Sequence, residues 1–215
     1  MTKPKAIIFD CWNTLFYVRS QPTVFMRVAR FALHTKLSYP LTKRIERSLQ
    51  LAPEASPEAA AAKLLHDLHL PTTPRLMRRT THIITTAGRH HQPYHDSLAI
   101  LDYFSGNYTL GLLSNTYQTS FQALRKEFKL DERFDVVMPS YEVGMIKPDP
   151  KLFKLLLKKL GTTPEETVMV GDSYRDDIQA AEAVGITGIL IDRHNRYPKV
   201  APHIKELSEL KQLIQ

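Results

Sequence analysis

Short apolar runs alternate with stretches of helical length through most of this 215-residue chain, and that alternation most constrains its fold. Strand-like runs lie at 5–9, 108–113, 134–138, 167–170 and 186–191, with helices expected at about 119–128, 150–160 and 174–184. Runs that stay apolar, rather than alternating with polar residues, suit strands buried on both faces, and strands separated by helices pair in parallel. The expected fold is therefore α/β, a Rossmann-like doubly wound parallel sheet. Local punctuation agrees. Asp149 is placed to cap a helix that begins at Pro150 and stops before Gly161, and Thr163-Pro164-Glu165-Glu166 has capping-box spacing.

A second texture interrupts this pattern. All eight glycines fall at or after Gly88, and upstream Pro22, Pro40, Pro53, Pro57, Pro71 and Pro74 bracket segments of helical length. Proline is tolerated in the first turn of a helix and breaks its interior, so these residues mark helix boundaries. Val24, Val28, Phe31 and Ala32 recur at helical spacing, as do Ala61, Leu64, Leu65 and Leu68. A bundle of about four helices is expected, occupying 17–90 as an insertion into a core made of 1–16 and 91–215.

The net charge of +7 lies in the N-terminal part: residues 1–90 carry 14 Lys/Arg against 5 Asp/Glu, residues 91–215 carry 15 against 17. A basic face concentrates anionic ligands. Arg27 with Arg30, and Arg44 with Arg47, share helix faces and are candidates for substrate contact. No basic–aromatic platform is present, so no nucleic-acid partner is expected. No apolar run approaches the roughly 18–20 residues that cross a bilayer, and no signal-peptide core is visible. Cys11 is the only cysteine, which precludes an intrachain disulfide. A cytoplasmic monomer or homodimer is the expectation. His82, His90, His91 and His95 invite a metal reading, but Pro93 spoils the helical spacing of His91 with His95, and the four are expected to face solvent.

Ligands of open α/β sheets bind beyond the carboxyl ends of the strands, and four such places carry polar residues: Asp10-Cys11-Trp12-Asn13-Thr14, Ser114-Asn115, Lys147-Pro148-Asp149-Pro150 and Gly171-Asp172-Ser173-Tyr174-Arg175-Asp176-Asp177. A positioned carboxylate can act as a nucleophile, lysine and hydroxyl groups suit an oxyanion, and grouped carboxylates suit Mg²⁺.

These four motifs, in this order, resemble the haloacid dehalogenase-like hydrolase superfamily. The resemblance implies a hydrolase with a helical cap over a Rossmann-like core. It makes Asp10 the covalent nucleophile, Thr14 an orienting residue, and Ser114 with Asn115 and Trp12 contacts to a small anionic, phosphorylated substrate. Lys147 would neutralise the transferred group and orient Asp10. Asp10, Asp172 and the Trp12 carbonyl would hold Mg²⁺, and Asp176 or Asp177 would support Lys147 or the metal shell. One position departs from the pattern: the family's phosphatases carry a second aspartate, the general acid and base, where this chain has Trp12. Three alternatives follow. One is a Mg²⁺-dependent phosphohydrolase that works without that acid, on substrates with good leaving groups or with a proton supplied by the cap. Another is a metal-independent 2-haloacid dehalogenase, which also carries an aromatic residue there but a neutral residue in place of Asp172. The last is a non-catalytic binding protein.

Overall fold

A computed structural model describes residues 3–19, 23–36, 38–86, 91–200 and 202–214, so Pro22, Gly88 and His90 lie outside the described residues. In chain order, β1 (Ala6–Phe9) and β2 (Phe16–Val18) precede four helices, α1 (Val24–Phe31), α2 (Tyr39–Gln50), α3 (Pro57–Asp67) and α4 (Pro74–Thr86). Then come β3 (His91–Pro93), α5 (Ser97–Phe104), β4 (Thr109–Ser114), α6 (Gln118–Glu127), α7 (Leu130–Arg133), β5 (Val136–Pro139), α8 (Ser140–Val143) and α9 (Pro150–Leu160). The chain closes with β6 (Thr167–Gly171), a π-helical turn (Tyr174–Gln179) running into α10 (Ala180–Glu182), β7 (Thr187–Ile191), β8 (His203–Ile204) and α11 (Leu210–Leu213).

The main sheet has the order β5-β4-β1-β6-β7-β8 and is parallel throughout. Both faces are covered, as the unbroken apolar runs require. Successive side chains of a strand point to opposite faces: Ile7 and Phe9 join a cluster with Ile100, Leu101, Phe121 and Leu207, whereas Ile8 packs with Leu152, Phe153 and Leu156 of α9. Strand order reverses at β1, because the chain fills β4 and β5 on one side and then β6 to β8 on the other. That reversal opens a crevice at the carboxyl end of β1.

The helices α1–α4 have an apolar cluster of their own, built on Val28, Ile45, Leu49, Leu64, Ile83 and Ile84. Prolines open three of them as expected, with Pro40 in the first turn of α2, Pro57 in α3 and Pro74 beginning α4. Ser56 caps α3 by accepting a hydrogen bond from Ala59 N at 3.2 Å. Three details differ from the sequence-based expectation. β2 and β3 form an antiparallel pair with Phe16 opposite Pro93 and Val18 opposite His91; runs of three residues are too short to show a period. The expected helix at 174–184 opens as a π-helical turn. Thr163 makes no side-chain cap bond, and the turn after it is a single 3₁₀ turn whose Glu166 reaches Lys5 at 2.5 Å.

Candidate active site

Asp10 stands at the carboxyl end of β1, buried, in the crevice where the strand order reverses. Its Oδ2 accepts from the Thr14 hydroxyl at 3.1 Å, which the left-handed turn at Asn13 (φ 61°) brings back over the strand end. Its Oδ1 accepts from Lys147 Nζ at 2.6 Å. Lys147 is 3% exposed and also donates to Asp177 Oδ1 at 2.6 Å and to the Leu113 carbonyl at 3.2 Å. Its main chain is clasped by the Asn115 side chain: Lys147 N donates to Oδ1 at 2.8 Å, and Nδ2 donates to the Lys147 carbonyl at 3.1 Å. Asn115 lines the cavity while one of its amide donors and its amide oxygen hold the main chain of Lys147.

The two adjacent acids after β6 separate cleanly. Asp177 folds back onto Lys147, and its Oδ2 accepts from Ser173 N at 3.0 Å. Asp176 turns towards α2 and accepts from Lys43 at 3.0 Å. Neighbouring residues of a helical turn point in different directions, so one carboxylate alone reaches the lysine. Gly171 makes this approach possible, since a Cβ there would lie 2.4 Å from Asp177 Cγ. Asp172 completes the group. One carboxylate oxygen each from Asp10, Asp172 and Asp177 lies within 4.8 Å of the others.

Burial governs the electrostatics. It pushes the Asp177 carboxyl up to about 6, with Lys147 pulling against it and Asp10 adding to it. Burial also raises Asp10, opposed by Lys147, and raises Asp172 together with the charge of Asp177. For Lys147 burial favours the neutral amine, but Asp10 and Asp177 outweigh it and hold the ammonium charged. Three acids thus meet one buried lysine and, at Asp172, the Arg196 guanidinium, and the one negative charge left over among clustered oxygen donors fits a hard divalent cation. Burial drives the Cys11 thiol pKa well up, which leaves it a small apolar residue beside Asp10.

The cavity above Asp10 measures about 300 Å³ and is lined by Trp12 and Asn13, by Lys147, Asp172 and Asp177, and by Val24 and Phe25 of α1. Ser114 does not line it. Its hydroxyl is buried behind the wall and makes no hydrogen bond to nitrogen or oxygen. Of the paired arginines, Arg27 donates to the Thr86 hydroxyl at 3.0 Å and Arg44 to the Asp67 carbonyl at 3.0 Å, and none of the four lines the cavity. His91 departs from the expectation of solvent exposure. It is 6% exposed, with its ring centroid 5.1 Å from that of Trp12, because β3 carries it against the first strand-end loop. His82 and His95 are exposed as expected.

Arg196 is a site residue that the motifs did not reveal. Its Nη2 donates to Asp172 Oδ2 at 3.0 Å, while Asp192 holds its loop by accepting from Arg196 N at 2.8 Å and Tyr197 N at 2.6 Å. The loop after β7 is itself a strand end, and its run Asp192-Arg193-His194-Asn195-Arg196 was the available signal.

A family model for haloacid dehalogenase-like hydrolases matches residues 4–185, which spans all four strand-end motifs. The chain belongs to this family. It is similar to a phosphoserine phosphatase of Thermus thermophilus, at 38% identity over 35% of this chain and 31% of that protein. The chain spans from about a third to about half of the length of the first curated relatives it matches. Among solved structures, a HAD phosphatase from Thermococcus onnurineus superimposes with a TM-score of 0.64 at 26% identity, covering 98% of this chain and 97% of that one. A 2-haloacid dehalogenase from Pseudomonas syringae superimposes at 0.69 with 19% identity, covering 98% of each chain. The latter likeness shows the shared fold. No described helix is long and apolar enough to cross a membrane.

Proposed function

We propose that this chain is a phosphohydrolase acting on a small phosphorylated molecule through an aspartyl-phosphate on Asp10. The observation that carries this is the buried chain Thr14–Asp10–Lys147–Asp177 at the strand reversal, with Asp172 alongside. Asp10 attacks phosphorus while Thr14 and Lys147 hold its two oxygens, and the bond to the leaving oxygen breaks on the far side. Water then attacks the same phosphorus and frees phosphate and Asp10. Lys147 stays charged throughout and offsets the negative charge of the transferring group, the largest protein contribution in such reactions. Asp10 and Asp172, with the Trp12 carbonyl, would hold Mg²⁺, which when bound would supply further neutralisation of the phosphoryl oxygens. The helices α1–α4 would act as the cap that roofs the cavity and excludes water.

Trp12 offers no proton to the leaving oxygen, which favours substrates whose leaving group is already a weak base, such as acyl phosphates. Hydrolysis of acetyl phosphate, p-nitrophenyl phosphate and 2-chloropropionate, each with Mg²⁺ and with EDTA, tests the assignment. Mg²⁺-dependent phosphate release, fastest from acetyl phosphate, is expected. EDTA-insensitive chloride release would establish the dehalogenase instead, which the Arg196–Asp172 pair favours because a guanidinium already answers that acid. The Trp12→Asp variant should raise turnover of ordinary monoesters by about 10²-fold, the lower end of general acid–base effects. A drop would assign Trp12 a purpose of its own.

Mg²⁺ should also stabilise the fold without any substrate. At a hundred times its Kd the gain is roughly 2.7 kcal/mol. Burial raises the three carboxyls, so protons compete with the cation, and the rise in Tm should be larger at pH 8 than at pH 5.5. A melt indifferent to Mg²⁺ at both pH values would remove the metal from the site.

A further inference from the structure

The far side of the cavity, away from Asp10, is built by α2 and the π-helical turn. Glu46 and Gln50 sit four residues apart on α2, on one helix face, and both line the cavity. Gln50 is 4% exposed, and its Oε1 has no hydrogen-bond partner. Thr116 Oγ1, in a residue 1% exposed, and Asp176 Oδ1 are likewise without a partner, and both residues line the cavity. Buried polar atoms normally find partners inside the protein. Three residues that line one space each carry such an atom, which marks this space as the place where a ligand can supply the missing groups.

The sign of the missing groups follows from the charges. Among the described residues lining the cavity are five carboxylates, from Asp10, Glu46, Asp172, Asp176 and Asp177, and one cation, Lys147. Asp10, Asp172 and Asp177 belong to the reacting end. Glu46 and Asp176 are bridged by Lys43 Nζ, at 2.8 and 3.0 Å, but Lys43 enters from a neighbouring groove shared with Tyr39, Arg47 and Arg175 and does not line the cavity. Burial works against its charge, yet its bonds to the two acids prevail and hold it protonated. It fixes the two carboxylates in place from behind. The ligand meets acceptors, and among the described residues no free cation lines the cavity from the α2 side.

We infer that the leaving group of the substrate carries hydrogen-bond donors, an ammonium group above all, and no second anionic group, with Glu46 and Gln50 as the residues that select it. This rests on the phosphohydrolase assignment. An ammonium would sit among Glu46, the Gln50 carbonyl oxygen and Asp176, whereas a carboxylate or second phosphate would face like charge. Sites that pair a ligand's polar group discriminate strongly against a partner that leaves them unpaired.

Two ligands of matched size decide this: 2-aminoethyl phosphate and carboxymethyl phosphate, titrated calorimetrically with Mg²⁺ into Asp10→Asn protein, which cannot consume them. The amine should bind at least tenfold more tightly, Glu46→Gln and Gln50→Leu should each shrink the ratio several-fold, and Glu46→Lys should reverse it. Thermal melts confirm that each variant is folded, and Gln50→Leu carries the test if the Glu46 variants are not. A ratio near one, a preference for the carboxylate, or a ratio indifferent to these variants overturns the inference. So does failure of both ligands to bind while the wild type hydrolyses acetyl phosphate. If neither ligand binds and acetyl phosphate is also untouched, the phosphohydrolase assignment itself has failed and this inference falls with it.

Discussion

Asp10→Asn is expected to lower kcat by on the order of 10⁴ or more, the scale seen when a covalent nucleophile is removed, while leaving the protein at least as stable as wild type. The amide matches the carboxylate in size and can still accept from Thr14 or Lys147, but it is a far weaker nucleophile. Stability should not suffer, because Asp10 shares one lysine with Asp177, and burial raises its pKa. A carboxyl whose pKa is raised on folding costs stability above its unfolded pKa. Asp177 remains as the counter-ion of Lys147. Turnover with acetyl phosphate and a thermal melt at pH 7.5 check both halves. Activity within a few-fold of wild type would sink covalent catalysis at this residue.

The larger loss of stability is expected from Lys147→Met. Breaking a buried ion pair by removing one partner typically costs about 3–5 kcal/mol, and here two buried carboxylates lose the same cation. The sign of the pH dependence can be worked out. In the wild type Asp177 already titrates at about 6 in the folded chain, against roughly 3.9 when unfolded. Between those values the native state holds more protons, so stability falls as pH rises through this window. Without Lys147 the folded pKa of both acids moves higher, and the window widens upwards. The difference between variant and wild type should therefore be greatest near pH 8 and should shrink towards pH 5. The double variant Lys147→Met with Asp177→Asn should recover part of the loss. Urea denaturation across this pH range gives the measurement, and a loss independent of pH would mean that Lys147 stabilises the fold by packing alone.

Much of this site could be read from the chain before its structure. Asp10, Lys147, Asp172 and the pair Asp176–Asp177 each follow an apolar strand, and a parallel sheet gathers such positions at one edge. Thr14 met Asp10 as its four-residue spacing across a tight loop allowed. The choice between Asp176 and Asp177 was not legible, because it turns on the rotation of a π-helical turn, which adjacent acids at a helix start do not encode. Glu46 and Gln50 were hidden for a different reason. They come from the inserted helices, where the apolar stripe places residues inside their own bundle but says nothing about how that bundle is set over the sheet. The net positive charge of the same segment pointed to arginines as ligand contacts, yet Arg27 and Arg44 spend their donors on the bundle itself. His91 and the β2–β3 pair escaped notice because three residues carry no period.

The clasp of Asn115 on Lys147 has a consequence for how the crevice is kept ready. A lysine side chain that settles into one arrangement gives up about 2 kcal/mol of rotamer entropy, and Lys147 sits on the irregular connection between α8 and α9. The paired hydrogen bonds from Asn115 to both sides of the Lys147 peptide tie that connection to the end of β4 as firmly as another rung of the sheet would. The ordering cost is thereby met once, when the chain folds. A molecule arriving in the crevice finds the ammonium already aimed, and none of its binding free energy has to be diverted into arranging it.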